Sequence, residues 1–185
     1  MAFNINPKTH LLEPACFMPS PHYDDRPRDM SITLLVIHNI SLPPGQFQGK
    51  YVDDFFLDRL SSEAHPYFKT IEHLRVSSHL FIRRDGEVVQ FVPFHQRAWH
   101  AGESMFNGRE RCNDFSIGIE LEGTDDQPFE DQQYEHLAQV TRCLLTHYST
   151  IPQKNIVGHS DIAPNRKTDP GPYFDWKRYH RLITE

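Results

Sequence analysis

A chain of 185 residues is long enough for one domain with a sizeable core. With 19 basic against 25 acidic residues and a formal net charge of -6, it lacks the positive footprint of a nucleic-acid or anionic-membrane binder. Aromatic residues reach 12% and no tract is of low complexity, which excludes a disordered chain.

In chain order, residues 1–30 are rich in Pro and charge without periodicity, and predict an extended arm packed on the domain. SITLLVIHNI (31–40) is a short apolar run of the kind a buried central strand requires. SLPPGQFQGK is loop, and YVDDFFLDRL (51–60) predicts a short helix. HLFIRRDGEVVQFVP (79–93) has two strand-like runs around Asp85-Gly86, a hairpin signal. FSIGIELEG (115–123) alternates: Phe115, Ile117, Ile119 and Leu121 share one face, and Ser116, Gly118, Glu120 and Glu122 the other.

From Glu130 to Tyr148 the apolar spacing changes to steps of three and four, which predicts a long amphipathic helix. NIVGH (155–159) reads as another short strand, and 175–183 as a closing helix with Asp175 as N-cap. Strands interleaved with helices predict an α/β fold, a single domain over residues 1–185 with a mixed central sheet flanked by helices. Cys16, Cys112 and Cys143 are odd in number and far apart, neither a disulfide framework nor a thiol metal site. The first twenty residues lack the basic patch and apolar run of a secretory signal, so a cytoplasmic location is expected.

Two His occupy matching places. His38 follows the run LLVI and His159 follows IVG, and sites in α/β sheets gather at strand ends. Asp169 lies ten positions after His159, across the irregular segment GHSDIAPNRKTDPGP, whose Pro and Gly residues could return it to that His. Two imidazoles and a carboxylate are a frequent ligand set for catalytic zinc, with one coordination position left open. A lone His at a strand end is more often a hydrogen-bonded core residue, and no compact motif ties these three together.

Glu120 shares its face with the small Ser116 and Gly118 and could act as a general base, but Glu122 fits the same alternation. Lys167, two residues before Asp169, could stabilise an oxyanion, although a loop Lys is usually only solvated.

Taken together, VIHNISLPPG, HPYF, HLRVSSHLFIRRDGEVVQFVP, RAWHAGES, GRERCNDFSIGIELEGTD and GHSDIAPNRKTDPGPYFDW strongly resemble the cytoplasmic 1,6-anhydro-N-acetylmuramyl-L-alanine amidases. These form the AmpD family, within the phage-lysozyme-type amidases and peptidoglycan-recognition proteins. The likeness runs from Ser20 almost to the C-terminus. It implies one Zn2+ per chain on His38, His159 and Asp169, with Glu120 as acid/base and Lys167 as oxyanion partner. Glu120 is thereby preferred to Glu122.

The implied substrate is a small muropeptide, an anhydro-sugar bearing a short peptide, cut between the lactyl group and L-alanine. The implied setting is peptidoglycan recycling, which in several bacteria also restrains β-lactamase induction. Arg75 and Arg111 are candidates for binding the peptide carboxylates through their guanidinium forks, against the alternative of surface ion pairs. Asn39 is a candidate for the substrate amide, and Trp99 and His100 for the pocket lining. His79 reads as a packing or supporting residue near the site, and Asp161 and Arg166 as structural hydrogen-bonders. No nucleic acid, membrane or protein partner is expected. The competing reading is a non-catalytic muropeptide-binding module on the same fold, which the intact five-residue set disfavours.

Overall fold

Leu34, Leu35, Val36 and Ile37 are all fully buried, which four consecutive residues achieve only on a strand covered on both faces. The computed structural model, which describes residues 3–185, places them in the middle of a six-stranded mixed sheet. Its strands are β1 (Cys16–Phe17), β2 (Leu34–Ile40), β3 (Leu80–Ile82), β4 (Val88–Gln90), β5 (Ser116–Glu122) and β6 (Ile156–Gly158). The spatial order is β6-β2-β5-β3-β4-β1. Only β3 and β4 run antiparallel, joined by the hairpin at Asp85-Gly86 that the sequence predicts. Gly86 has φ 86°, the left-handed region that favours glycine, and the Asp85 side chain accepts from Glu87 N at 3.0 Å.

The helices are α1 (Tyr51–Phe56), α2 (Asp131–His147), α3 (His159–Ile162) and α4 (Trp176–Thr184). Helix α2 starts at a reciprocal capping box between Glu130 and Gln133. Gln133 is fully buried, and its amide donates to the carbonyls of Ile82 and Glu122 at 3.2 and 3.0 Å. The helix start is thereby fixed to the ends of β3 and β5. Leu137, Val140 and Leu144 pack fully buried against Leu35, Ile37, Ile117 and Ile119, each such side chain contributing about 1.5–3 kcal/mol. Helix α4 closes this face; Asp175 caps it as expected, and Tyr179 Oη lies 2.6 Å from Thr141 Oγ1.

Two features go beyond the sequence pattern. All seven residues of β5 are buried, those on its polar side included. Its polar face is covered, and Glu122, only 2% exposed, accepts from Gln48 N and Arg84 N to hold two loops together. The N-terminal arm does more than pack on the domain. Cys16–Phe17 forms the sheet's edge, and Tyr23–Asp25 pairs with Gln96–Ala98. Strands of two or three residues are too short to leave a period in the sequence.

Candidate metal and amidase site

The register of three parallel strands assembles the site. Glu120 on β5 stands opposite His38 on β2, and Gly158 on β6 pairs with Ile37, so His159 emerges beside His38. This is the sheet face opposite α2 and α4. Where irregular chain is expected after Gly158, residues His159–Ile162 form one helical turn, with the Asp161 side chain accepting from Gly158 N at 2.7 Å. A single turn is too short for a helical period to reveal.

The rest of the segment returns as the spacing suggests. Ser160 N donates to the Asp169 carbonyl at 3.0 Å and closes the loop. Gly171, at φ 82°, passes so close to Asp125 that a Cβ there would lie 2.5 Å from its Cα. Arg166 donates to the Ala101 and Glu103 carbonyls at 2.7 and 2.6 Å, bracing the loop from outside.

Three donor atoms meet: His38 Nδ1, His159 Nδ1 and Asp169 Oδ2, separated by 3.0, 3.1 and 3.1 Å. Among the described residues this is the one group of His, Cys, Asp or Glu arranged to hold a metal ion. His159 Nε2 lies 3.1 Å from the Ala101 carbonyl, which can only accept and so favours a proton on that nitrogen. Burial pushes His38 down to about 4, which favours its neutral form. Two imidazole nitrogens and a carboxylate oxygen meeting at one point are an N, N, O donor set that suits zinc.

For Asp169, burial opposes ionisation, and the two imidazoles outweigh it and hold the carboxyl well below its usual range. Glu120 is 9% exposed, and its Oε1 lies 4.0 Å from His38 Nδ1 while its Oε2 has no partner. Burial, then the Asp169 charge, push its carboxyl well above the usual range, and Lys167 pulls the other way. An orphaned, easily protonated carboxyl beside the triangle is fit to exchange protons.

A cleft of ≈ 600 Å³ opens here, lined by Asn39, Trp99, His100, Glu120, Lys167 and Asp169 among others. Leu42, Phe56, Tyr67, Ile71 and Leu74 give it an apolar arm. Asn39 donates through Nδ2 to Asp125 Oδ1 and to the Pro170 carbonyl at 2.7 and 3.0 Å, tying β2 to the Asp169 loop. Trp99 Nε1 donates to Asp24 at 3.1 Å, and its ring stacks on His22. His100 is in the wall, and both its ring nitrogens face protein atoms.

Arg75 and Arg111 do not line this cleft. Arg75 bonds to the Glu72 and Leu74 carbonyls at its rim, with Asp58 at 3.6 Å. Arg111 faces a second groove, shared with Met105, Pro164 and Arg166. His79 is fully buried, with Nε2 on the Gln96 carbonyl and Nδ1 accepting from Gly118 N, a supporting residue as expected. The role of Gly118 was not legible. The gap left by its missing side chain holds the His100 ring, which a Cβ there would meet at 2.4 Å.

The family model described as N-acetylmuramoyl-L-alanine amidase matches residues 28–172. The 1,6-anhydro-N-acetylmuramyl-L-alanine amidase AmpD of Enterobacter cloacae is 62% identical over 167 residues, 90% of this chain and 89% of that protein. A crystal structure of a Se-Met AmpD derivative superposes with a TM-score of 0.93 at 58% identity, covering 95% of this chain and 98% of that one. The amidase AmiD from E. coli, solved with the substrate anhydro-N-acetylmuramic acid-L-Ala-D-gamma-Glu-L-Lys, gives a TM-score of 0.61 at 32% identity, over 85% of this chain and 60% of AmiD. Among the described residues no helix is long and apolar enough to cross a membrane. Family match, identity and fold agree: the chain belongs to the N-acetylmuramoyl-L-alanine amidase family, on its AmpD branch, and is an amidase.

Proposed function

We propose that the chain holds one zinc ion on His38, His159 and Asp169. With it, the chain hydrolyses the bond between the lactyl group of 1,6-anhydro-N-acetylmuramic acid and the L-alanine of a stem peptide, acting in the cytoplasm on wall-turnover fragments. The observation that carries the reading is the triangle of two imidazole nitrogens and a carboxylate oxygen within 3.1 Å of one another. When bound, zinc supplies Lewis acidity that polarises the carbonyl and lowers the pKa of water to about 7.

The chain's own residues do the rest. Glu120 Oε2, buried and unpartnered, accepts the proton of the attacking water and delivers it to the departing L-alanine amine. The Lys167 ammonium, in the same cleft, stabilises negative charge on the carbonyl oxygen. Asn39 holds the Asp169 loop in place and offers its amide oxygen to the substrate amide. The apolar arm and Trp99 exclude water around the sugar. We assign the peptide carboxylates to Arg75 at the rim and to Arg111 in the adjoining groove, which shares Arg166 with the cleft.

The test is to incubate zinc-loaded protein with an anhydro-muropeptide and assay free sugar and free peptide. Cleavage at the lactyl amide, with far slower attack on whole sacculi, is expected. Binding without cleavage would instead make it a recognition module.

A further inference from the structure

A metal-ligating imidazole must present its lone pair and keep its proton on the far nitrogen, and a partner at that nitrogen fixes this choice. Here both partners come from two consecutive residues. His38 Nε2 faces His100 Nδ1 at 2.9 Å, and His159 Nε2 faces the carbonyl of Ala101 at 3.1 Å. Asn113 holds the pair, its Oδ1 accepting from His100 N at 3.1 Å and from Ala101 N at 2.8 Å. Ser116 Oγ lies 3.1 Å from His100 Nε2 and completes the line from His38. Gly118 leaves room for the His100 ring, and its own N–H is tied to His79.

We propose that the dipeptide His100-Ala101, anchored by Asn113 and Ser116, is a positioning unit that sets the tautomer of both imidazole ligands and so tunes zinc affinity. This rests on the zinc reading above. The Ala101 carbonyl, at 3.1 Å against 3.5 Å for Arg166 Nη2, favours the proton on His159 Nε2, because a carbonyl cannot donate. The His38 line admits two assignments. In one, His38 Nε2–H donates to His100 Nδ1, and His100 Nε2–H donates to Ser116 Oγ. In the other, the Ser116 hydroxyl donates to His100 Nε2, His100 Nδ1–H donates to His38 Nε2, and His38 carries its proton on Nδ1, 3.1 Å from Asp169 Oδ2. The hydroxyl accepts or donates equally well, so the line flips as a unit without gaining or losing a proton. Zinc selects the first arrangement. His100 thus supports a ligand and has no free nitrogen for substrate.

The test strips full-length protein with chelator, reloads it with zinc, and measures affinity by competition with a chromophoric chelator. Imidazole 15N spectra of the loaded protein are recorded alongside. His100 carrying its proton on Nε2 is expected, and a proton on Nδ1 in the zinc form overturns the proposal. His100→Leu should weaken zinc about 10–100-fold. His100→Gln, whose amide oxygen can accept from His38, should recover most of that loss. Equal losses in both variants, or none in either, would reduce His100 to packing. Asn113→Leu against Asn113→Asp gives the same contrast away from the ligands, since Asp keeps the accepting oxygen. It decides the matter if the His100 variants fail to fold. A wild-type protein that takes up no zinc would sink the zinc reading instead, before any variant is compared.

Discussion

Two groups of histidines stand ring to ring among the described residues, and only one converges. His38, His100 and His159 are buried, and each ring nitrogen not aimed at the donor triangle has a partner. His10, His95 and His147 also cluster, with ring centroids 4.6 and 5.9 Å from His10, yet their one mutual feature is packing. His10 Nδ1 faces Tyr148 Oη at 3.2 Å, and among the described residues this group does not gather donor atoms for a metal. Its rings repel one another's charged forms: burial first, then His95 and His147, lower the His10 pKa. Crowded imidazoles are therefore not a site. A carboxylate to bring negative charge, and fixed far nitrogens to aim the lone pairs, make the difference.

The largest expected effect comes from breaking the converging group. Asp169→Ala removes its anion and should abolish stoichiometric zinc and activity together. Retained zinc, measured by metal analysis, would refute the ligand assignment. Glu120→Gln should keep zinc and lose about 10²–10⁴ in turnover, and Lys167→Ala about 10²–10³. An active Glu120→Gln would move the base elsewhere.

A smaller effect separates buried from exposed histidines by pH. His79 is fully buried, and burial lowers its pKa well below the usual 6.5, with Arg26 adding to the shift. Below about pH 6.5 the unfolded chain binds a proton that the native state refuses, so stability falls with falling pH. From pH 6.5 downward the slope attributable to this group approaches about 1.4 kcal/mol per pH unit. Urea midpoints between pH 7.5 and 5.5 should show it, and His79→Gln should flatten it; an unchanged slope would place the titration elsewhere. The smallest effect belongs to the second cluster. His10→Gln and His147→Gln should leave zinc at one per chain and change stability by about 0.5 kcal/mol or less. A drop in zinc content would make that cluster a metal site after all.

Legibility followed range along the chain. The β2 run, the Asp85-Gly86 hairpin and the α2 period were readable because each is written within its own segment. The one-turn helix His159–Ile162 and the edge strand Cys16–Phe17 were not, being shorter than any period they could display. Glu120 and Glu122 share one alternation, and only the neighbours differ: one stands beside His38, while the other is used up on Gln48 and Arg84.

By itself the sequence determined the elements, the donor types and, through several ordered motifs, the family. What the tertiary structure alone decided is which partner each ring nitrogen faces. The register β6-β2-β5 brings His159, His38 and Glu120 onto one face, and the Asn113 side chain holds His100-Ala101 beside both imidazoles. The partners that fix the register and face the far nitrogens lie 58 to 121 positions away in the chain, and no local pattern of residues records them.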